Sequence, residues 1–360
     1  MKENSQVTIY GAGMSGLVAA INLARDGYEV TLHDKEAQYG GDSMYNPSTH
    51  CTPIDVKRTS EYIGIDVSSV FYPLVECPFY FHDTRSNAPH DILYSVERGN
   101  RPTSLDTLLY KQALDLGVKF EFKSPLKKEA IDKLPPQTIA ACGLTPAAYS
   151  ILEIPSLTWY AWISRGEIGF SDYSWIWWDE CITEYGYLSS ANNYYFDLLF
   201  SIRPLDRKAL DRYKRFMVRN EGVEHDNWEY VKGVVPIASR NNPRLFHKNL
   251  IMCGTVSGYM DPFGWFGILG ALISGKIAAM AVSDPRAAQV EFDRFIRYFK
   301  RVYFFKKYLW YPLIRPRVGM LENLLQAFGP DDFSRFVSRF VNADRQVPFS
   351  IPGFANLGAE

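Results

Sequence analysis

The stretch VTIYGAGMSGLVAAINLARDGYEVTLHD, residues 7–34, changes its secondary-structure signal three times. A short β-branched run ends in the glycines of GAGMSG, and apolar residues then recur at helical spacing as far as Gly27. A second β-branched run follows and ends at Asp34. Strand, glycine turn, helix and strand in this order indicate an α/β protein that begins with a βαβ unit.

The three glycines of the turn have different physical roles. Gly11 permits a tight turn, Gly13 lets the backbone approach a pyrophosphate, and Gly16 allows the helix to pack closely on the strand. The start of the helix, at Met14 and Ser15, offers free N–H groups to phosphates. The turn therefore predicts a Rossmann-like dinucleotide site.

The residues after the second strand indicate which dinucleotide is bound. Asp34 lies about twenty residues after the turn, where a carboxylate can accept hydrogen bonds from an adenosine ribose. The chain continues DKEAQYGG, and an acid and a lysine followed by Gly-Gly resemble the extension of FAD-binding rather than NAD-binding members of the Rossmann class. This resemblance implies FAD as cofactor, with Lys35, Gly40 and Gly41 in its site.

A second resemblance lies in ILYSVERGNRPTSLDTLLYKQALDLGVKFEF, residues 92–122. The spacing predicts a strand, a turn, a helix over residues 104–116 and another strand. An arginine shortly before a leucine-rich helix resembles the FAD-dependent oxidoreductases of the p-hydroxybenzoate-hydroxylase class, in which that arginine reaches the flavin nucleotide. Arg98 or Arg101 would hold this position here, and a solvated surface arginine is the alternative for each.

The last cofactor motif of that class resembles LIMCGTVSGYMDPFGWFGILGALISGKIAA, residues 250–279. This chain departs from the class pattern at Gly254-Thr255, where an aspartate would contact the ribityl chain, and a threonine hydroxyl can still form a hydrogen bond. The usual Ala-Asp-Gly likewise reads Ala-Cys-Gly at residues 141–143. The resemblance implies cofactor contacts from Cys142, Gly143, Gly254, Thr255, Asp261, Gly264, Phe266, Gly267 and Ile268.

Residues 260–282 are apolar over about the length that spans a bilayer. Three features argue against insertion: Asp261-Pro262 is typical of a helix start, glycines recur in the first turns, and Lys276 would face lipid. We therefore expect a helix that begins at Asp261-Pro262 and points its N-terminus at the cofactor. A buried core helix is the alternative.

The motif Asp-Pro-Phe-Gly-x-x-Gly, with the SGKIAA that follows, resembles the geranylgeranyl-reductase-like branch of the class. That branch saturates carbon–carbon double bonds of long isoprenoid chains, so the resemblance implies an FAD-dependent reductase of a hydrophobic substrate. The candidate proton donors are Cys51, His50, Tyr185 and Tyr187, each of which has a structural role as the alternative. Two other functions stay open: an FAD-dependent monooxygenase of the same fold and a non-catalytic flavin or lipid carrier.

The middle of the chain, residues 158–202, alternates apolar and polar residues in short runs and predicts an antiparallel sheet. Its tryptophans and tyrosines suit the wall of an apolar substrate pocket or a plain sheet core. Because Trp177 and Trp178 are adjacent, only one of them can face a pocket. The predicted domains are a discontinuous FAD-binding domain (1–75, 95–155 and 245–285), a substrate-binding sheet domain (76–94 and 156–244) and a C-terminal helical region (286–360).

Composition limits the partners. A formal net charge of -1 gives no electrostatic reason to expect nucleic acid. Five scattered cysteines without a CxxC pair indicate a reducing compartment and no metal site, and the N-terminus lacks a secretion signal, so we expect a cytoplasmic protein. A single G-x-G-x-x-G predicts an external electron donor such as NAD(P)H or a ferredoxin.

The segment FDRFIRYFKRVYFFKKYLWYPLIRPR, residues 292–317, interleaves aromatic with basic residues at helical spacing. Such a helix can lie on an anionic membrane surface. The alternative is a helix that packs on its own domain and keeps its basic residues solvated.

Overall fold

The computed structural model describes residues 6–87, 93–238 and 242–328. The α-helices are α1 (Met14–Arg25), α2 (Val56–Ile63), α3 (Leu105–Asp115), α4 (Pro146–Ile151), α5 (Arg207–Phe216), α6 (Ile268–Ser283), α7 (Pro285–Phe305) and α8 (Val318–Phe328). Met217–Glu221 and Lys306–Ile314 are π-helical continuations of α5 and α7, and 3-10 turns span Ser68–Val70, Lys128–Lys133, Gly254–Ser257 and Arg315–Arg317. The strands are β1 (Gln6–Tyr10), β2 (Glu29–His33), β3 (Ser48–Pro53), β4 (Phe71–Pro73), β5 (Pro78–Phe81), β6 (Thr84–Asn87), β7 (Leu93–Arg98), β8 (Lys119–Glu121), β9 (Thr138–Ala140), β10 (Ser156–Glu167), β11 (Tyr173–Trp178), β12 (Gly186–Ala191), β13 (Tyr194–Ser201), β14 (Glu229–Pro236), β15 (Phe246–His247) and β16 (Leu250–Met252).

The N-terminal βαβ unit forms the centre of a six-stranded sheet with the order β15-β16-β9-β1-β2-β8. Its strands are parallel except for the β15–β16 pair. Because Tyr10 pairs with His33, the glycine turn and Asp34 leave the sheet side by side at its carboxyl edge. Ligands bind at this edge in open α/β sheets.

A seven-stranded sheet has the order β14-β10-β13-β12-β11-β5-β6 and is antiparallel except for the β11–β5 pair. A third sheet, β3-β7-β4, contacts it through β3, which packs against β12 and β13. The prediction of an α/β fold with a Rossmann-like unit, an antiparallel sheet and a C-terminal helical segment is confirmed. The predicted domain bounds stay predictions.

Helix α6 is buried nearly all round because it packs against α1, α2 and α7. This environment accounts for its apolar sequence, and Lys276 on it donates to Asn22 Oδ1 at 2.8 Å. In the described part of the chain, no helix has both the length and the apolarity needed to cross a bilayer.

The predicted start of α6 at Asp261-Pro262 is wrong, because the helix begins at Ile268. The Asp261 carboxylate accepts hydrogen bonds from the N–H groups of Phe263 and Gly264, which closes a separate turn. Trp265 then has a φ of 57°, which an α-helix does not allow. Residues 261–267 therefore form a loop in front of the helix.

At most one of the adjacent Trp177 and Trp178 could face a pocket, and neither of them lines the cavity described below. The alternation along β11 instead turns Ile176 towards the cavity described below. Trp177 points to the opposite side, where it is fully buried and packs against Tyr213 and Phe216. Trp178 stacks on Phe81, so neither indole reaches the cavity.

Candidate functional site

A cavity of about 380 Å³ lies between the carboxyl edge of the parallel sheet and one face of the antiparallel sheet. Its polar end is formed by the glycine turn, the loop after β2 and the N-terminus of α6. Its apolar end is formed by side chains of the antiparallel sheet and the loop before α6, namely Trp159, Ile163, Ile176, Phe196, Leu198, Phe200, Val235, Met260 and Trp265.

The glycine turn has the geometry of a phosphate cradle. A Cβ atom on Gly11, whose φ is 117°, would lie 2.2 Å from the Ala141 carbonyl oxygen, and one on Gly16 would lie 1.9 Å from the Gly11 oxygen. A Cβ atom on Gly13 would meet nothing within 4 Å. The backbone of the protein itself therefore requires the first and third glycines, whereas the second leaves open space beside the N-terminus of α1.

Asp34 fastens the turn to β2. Its Oδ2 accepts a hydrogen bond from the Ala12 N–H at 2.5 Å, and its Oδ1 accepts one from the Glu36 N–H at 2.8 Å. Burial raises the pKa of this carboxyl group, while the two backbone donors oppose that shift. Beside it, Lys35 pairs with Asp42 at 2.9 Å, and Lys35 also lines the cavity.

The second helix N-terminus in the cavity belongs to α6. Its N-cap is Gly267, and no side chain of the described residues caps it, so its first N–H groups are available to a ligand. Nearby, the buried Thr255 Oγ1 has no hydrogen-bond partner among the described residues. This hydroxyl lies where the sequence predicts contact with a ribityl chain. Two helix N-termini, the open space at Gly13 and this unpartnered hydroxyl fit a flavin dinucleotide.

The two arginine candidates have different surroundings. Arg98 lines the cavity and forms a two-point ion pair with the fully buried Asp106, with distances of 2.6 Å from Nε and 3.1 Å from Nη2. Arg101 lies 3.3 Å from Glu97 and stacks over the Tyr194 ring, outside the cavity wall. Of the two, Arg98 is therefore the one placed to meet a ligand in the cavity.

A chain of hydrogen bonds starts at the cavity wall. The Tyr187 hydroxyl lies 2.9 Å from His50 Nδ1, and His50 Nε2 lies 2.9 Å from Ser48 Oγ, which donates to Asn46 Oδ1 at 2.9 Å. Because the Ser48 hydroxyl donates to Asn46, it accepts from His50 Nε2–H, and His50 Nδ1 then accepts from Tyr187. Burial, with a smaller effect of the Arg98 charge, lowers the pKa of His50 to about 3, so the imidazole is neutral.

The other two candidate proton donors also line the cavity. The Tyr185 hydroxyl donates to the Gly264 carbonyl at 2.6 Å, so a backbone acceptor already uses its proton. Cys51 is buried and packs with Cys77, Leu74 and Leu93. Tyr187 is the candidate whose hydrogen bond ends on a side chain that can itself exchange a proton.

A buried network behind the cavity wall was not predicted from the sequence. Lys306 Nζ lies 2.8 Å from Glu184 Oε2 and 2.8 Å from the Phe263 carbonyl oxygen, and it lies 4.3 Å from the centre of the Trp265 ring. Trp265 Nε1 donates to the same Glu184 oxygen at 2.9 Å, and Tyr311 donates to the other. Burial lowers the pKa of Lys306 against the raising effect of Glu184. Nothing in KRVYFFKKYLWY distinguishes Lys306 from the exposed Lys307.

Most of the predicted site residues meet at this cavity. Those that line it are Gly11, Gly13, Met14, Ser15, Asp34, Lys35, Gly41, His50, Cys51, Arg98, Cys142, Gly143, Tyr185, Tyr187, Gly254, Thr255, Gly264, Phe266, Gly267 and Ile268. Gly16, Gly40, Arg101 and Asp261 are outside its wall. Gly16 and Gly40 instead allow close backbone contacts, to Gly11 and to residues 99–100 respectively.

The N-terminal unit matches a known family model. The model is described as an NAD(P)-binding Rossmann-like domain and matches residues 9–56. Similar curated proteins include two from Arabidopsis thaliana. Flavin-containing monooxygenase FMO GS-OX4 is 36% identical over 106 residues, which cover 28% of this chain and 20% of the relative. Flavin-containing monooxygenase FMO GS-OX-like 5 is 31% identical over 144 residues, which cover 35% of this chain and 30% of the relative. The matched region therefore spans less than a third of either relative.

Solved structures match almost the whole chain. A geranylgeranyl bacteriochlorophyll reductase-like protein from Thermoplasma acidophilum has a TM-score of 0.61 at 16% identity, covering 97% of this chain and 94% of that one. A mutant of 2-methyl-3-hydroxypyridine-5-carboxylic acid oxygenase has a TM-score of 0.61 at 13% identity, covering 98% of this chain and 100% of that one. The flavin-dependent halogenase CmlS has a TM-score of 0.62 at 16% identity, covering 96% of this chain and 74% of that one. The chain thus has the fold that these reductase-like, oxygenase and halogenase proteins share.

Proposed function

We propose that the chain binds FAD and reduces a carbon–carbon double bond of an apolar, isoprenoid or lipid-like substrate. One observation carries this proposal: the same cavity is lined by a phosphate cradle, an aromatic wall and Tyr187. The aromatic wall suits a substrate without charge, because burial of an unpaired charge there is costly. The polar end suits the phosphates and ribityl chain.

The residues of the cradle have separate tasks in this proposal. The N–H groups at the start of α1 bind the pyrophosphate, and those at the start of α6 stabilise negative charge on the ring system. The Thr255 hydroxyl donates to or accepts from the ribityl chain, which would give it the partner that the described residues do not supply. When bound and reduced, a flavin supplies a hydride.

Tyr187 is the proposed proton donor. Burial raises the pKa of this hydroxyl well above its ordinary value, so it stays protonated until a strong base forms beside it. The neutral His50 accepts its hydrogen bond and orients the ring, and the O–H turns from His50 Nδ1 to the substrate when it donates. His50 is thus a positioning residue, and the aromatic side chains around it exclude water.

The first experiment is a visible absorption spectrum of the purified chain, followed by release and identification of the chromophore. We expect FAD at near-stoichiometric occupancy. The reduced protein, kept anaerobic, should then be reoxidised by a geranylgeranyl substrate with formation of a saturated product. Tyr187→Phe should slow this step by about 10²- to 10⁴-fold without loss of FAD. A colourless chain that does not take up added FAD would contradict the proposal and favour a carrier without flavin chemistry.

A monooxygenase is the second candidate, because the similar curated proteins are named flavin-containing monooxygenases. Oxygen consumption coupled to product would favour it, whereas anaerobic turnover would exclude it. The electron donor is proposed to be external, either NAD(P)H or a ferredoxin. Stopped-flow flavin reduction with each donor separates the two, and flavin that neither donor reduces would support the non-catalytic carrier.

A further inference from the structure

The C-terminal helical segment carries a concentration of exposed apolar side chains. Five of the thirteen large apolar side chains that are well exposed in the described residues fall within residues 304–320, and we call them the C-terminal apolar face. They are Phe304, Tyr308, Leu309, Leu313 and Met320. Phe304 and Tyr308 contact each other, with ring centres 4.6 Å apart.

The π-helical turns of this segment separate two faces. Tyr308 and Leu309 follow Phe304 by four and five residues, and Leu313 follows them by five and four, which matches the wide turn of the π-helical stretch Lys306–Ile314. Met320 lies further on, in α8. Between them, Lys306 and Arg315 point inwards and are almost completely buried. Apolar side chains that pack in the core point towards the protein. The side chains of the C-terminal apolar face point to solvent instead, so core packing does not explain them.

The inner side holds the segment in a fixed orientation. Lys306 pairs with Glu184, and Arg315 donates to the carbonyl of Thr183 at 3.1 Å and to two further carbonyls. Trp310 packs edge-on against Phe263 with ring centres 4.9 Å apart. The C-terminal apolar face is therefore rigidly attached. It adjoins the loop that contains Phe263, and the next two residues of that loop, Gly264 and Trp265, line the cavity.

Charge distinguishes this surface from the rest of the chain. Between residues 294 and 320 there are eight lysines and arginines and no aspartate or glutamate, although the whole chain has a formal net charge of -1. Two of the eight, Lys306 and Arg315, are buried and do not contribute to the surface. Exposed basic side chains border the C-terminal apolar face: Lys307 Nζ lies 5.1 Å from the centre of the Tyr308 ring, and Arg317 donates to the Leu313 carbonyl. This arrangement complements a surface that is apolar inside and negative outside.

We propose that the C-terminal apolar face docks on the surface of an anionic lipid bilayer. Its apolar side chains would insert at the level of the headgroups, while Lys307 and Arg317 meet lipid phosphates. The segment lies on the bilayer and does not cross it, which agrees with the lack of a spanning helix among the described residues. The proposal does not depend on flavin chemistry, because vesicle binding is measured without turnover.

The test is co-sedimentation of the full chain with vesicles of phosphatidylcholine alone or mixed with phosphatidylglycerol. We expect binding to the mixed vesicles that is on the order of tenfold or more stronger and that weakens as salt is added. The double variant Phe304→Ser/Leu313→Ser should lose binding, and Lys307→Glu/Arg317→Glu should lose the preference for anionic lipid. Val75→Ser is the matched control, because Val75 is 75% exposed but lies outside the face.

Several results would overturn the proposal. These are no vesicle binding, equal binding to both lipid compositions, or an equal loss in the Val75→Ser control. Light scattering of the protein without lipid provides the remaining check. A dimer that Phe304→Ser/Leu313→Ser converts to a monomer would identify a second copy of the chain as the occupant. If that variant does not fold, the proposal is still tested by the salt dependence of vesicle binding in the unaltered chain and by Lys307→Glu/Arg317→Glu.

Discussion

The Lys306 ammonium lies 2.8 Å from the Glu184 carboxylate in a site where the two side chains expose only 3% and 2% of their surface. Lys306 also donates to the Phe263 carbonyl, and Glu184 accepts from Trp265. The C-terminal segment, the loop between β11 and β12 and the loop in front of α6 are thus joined around one buried ion pair. Since that loop lines the cavity, the pair fixes the shape of the candidate site.

Lys306→Met should destabilise the protein strongly. It leaves the Glu184 carboxylate buried without its cation, and removal of one partner of a buried pair typically costs about 3–5 kcal/mol. Chemical denaturation monitored by tryptophan fluorescence measures the loss. The matched control is Lys307→Met, because the adjacent side chain is exposed and should change the free energy of unfolding by about 0.5 kcal/mol or less. Equal effects of both variants would contradict this role for the pair.

Gly13→Ala should separate cofactor binding from folding. The backbone of Gly13, with φ -83° and ψ -179°, suits any residue, and its Cβ would meet nothing within 4 Å. The variant should therefore unfold at the same temperature as the unaltered apo-protein, yet bind FAD at least about tenfold more weakly, because the methyl group occupies the pyrophosphate position. Titration of the apo-protein with FAD measures the affinity.

Gly16→Ala provides the contrast. Its Cβ would lie 1.9 Å from the Gly11 carbonyl oxygen, so the helix must move away from the strand. We expect a lower unfolding temperature even without FAD, with a cost of about 1–3 kcal/mol. If Gly13→Ala destabilised the apo-protein as much as Gly16→Ala, the separate roles of the two glycines would be refuted.

Thr255→Val tests the unpartnered hydroxyl in the cavity. Valine has nearly the same shape and removes a buried hydroxyl that has no partner in the described part of the chain, so the apo-protein should be as stable or more stable. FAD affinity should fall about three- to tenfold, as expected for the loss of one hydrogen bond. Thr138→Val is a matched control, because Thr138 Oγ1 is also buried and without a partner among the described residues but lies outside the cavity wall. An unchanged FAD affinity in Thr255→Val would exclude Thr255 from the cofactor site.

The sequence predicts the βαβ unit well because its signals are local. The glycines, the helical period and the β-branched runs all lie within residues 7–34, and the observed β1, α1 and β2 follow them closely. The helix predicted over residues 104–116 also depends on local signals, and α3 is capped locally because the Ser104 hydroxyl accepts from the Thr107 N–H three residues later.

The rest depends on contacts between distant parts of the chain. His50 and Tyr187 were named separately, but their hydrogen bond joins positions 137 residues apart and requires β3 to pack on β12. At Asp261 the local signal is misleading. An acid before proline is typical of a helix start, but here the Asp261 carboxylate closes a separate turn before Trp265. The partner of Lys306 could not be predicted, because Glu184 is 122 residues away.

Acid should destabilise the protein through His50. Its pKa in the folded state, about 3, is below the ordinary value of 6.5, so the folded state binds fewer protons than the unfolded chain between these values. The free energy of unfolding therefore falls as the pH decreases below 6.5, by up to about 1.4 kcal/mol per pH unit from this one group. Denaturation at pH 7 and pH 5 should show that His50→Gln loses about 2 kcal/mol less than the unaltered protein. Tyr187→Phe retains the imidazole and should keep the full pH dependence. Identical pH dependence in His50→Gln and the unaltered protein would mean that the imidazole is not held neutral, and Tyr187 would then lack the acceptor that positions its proton.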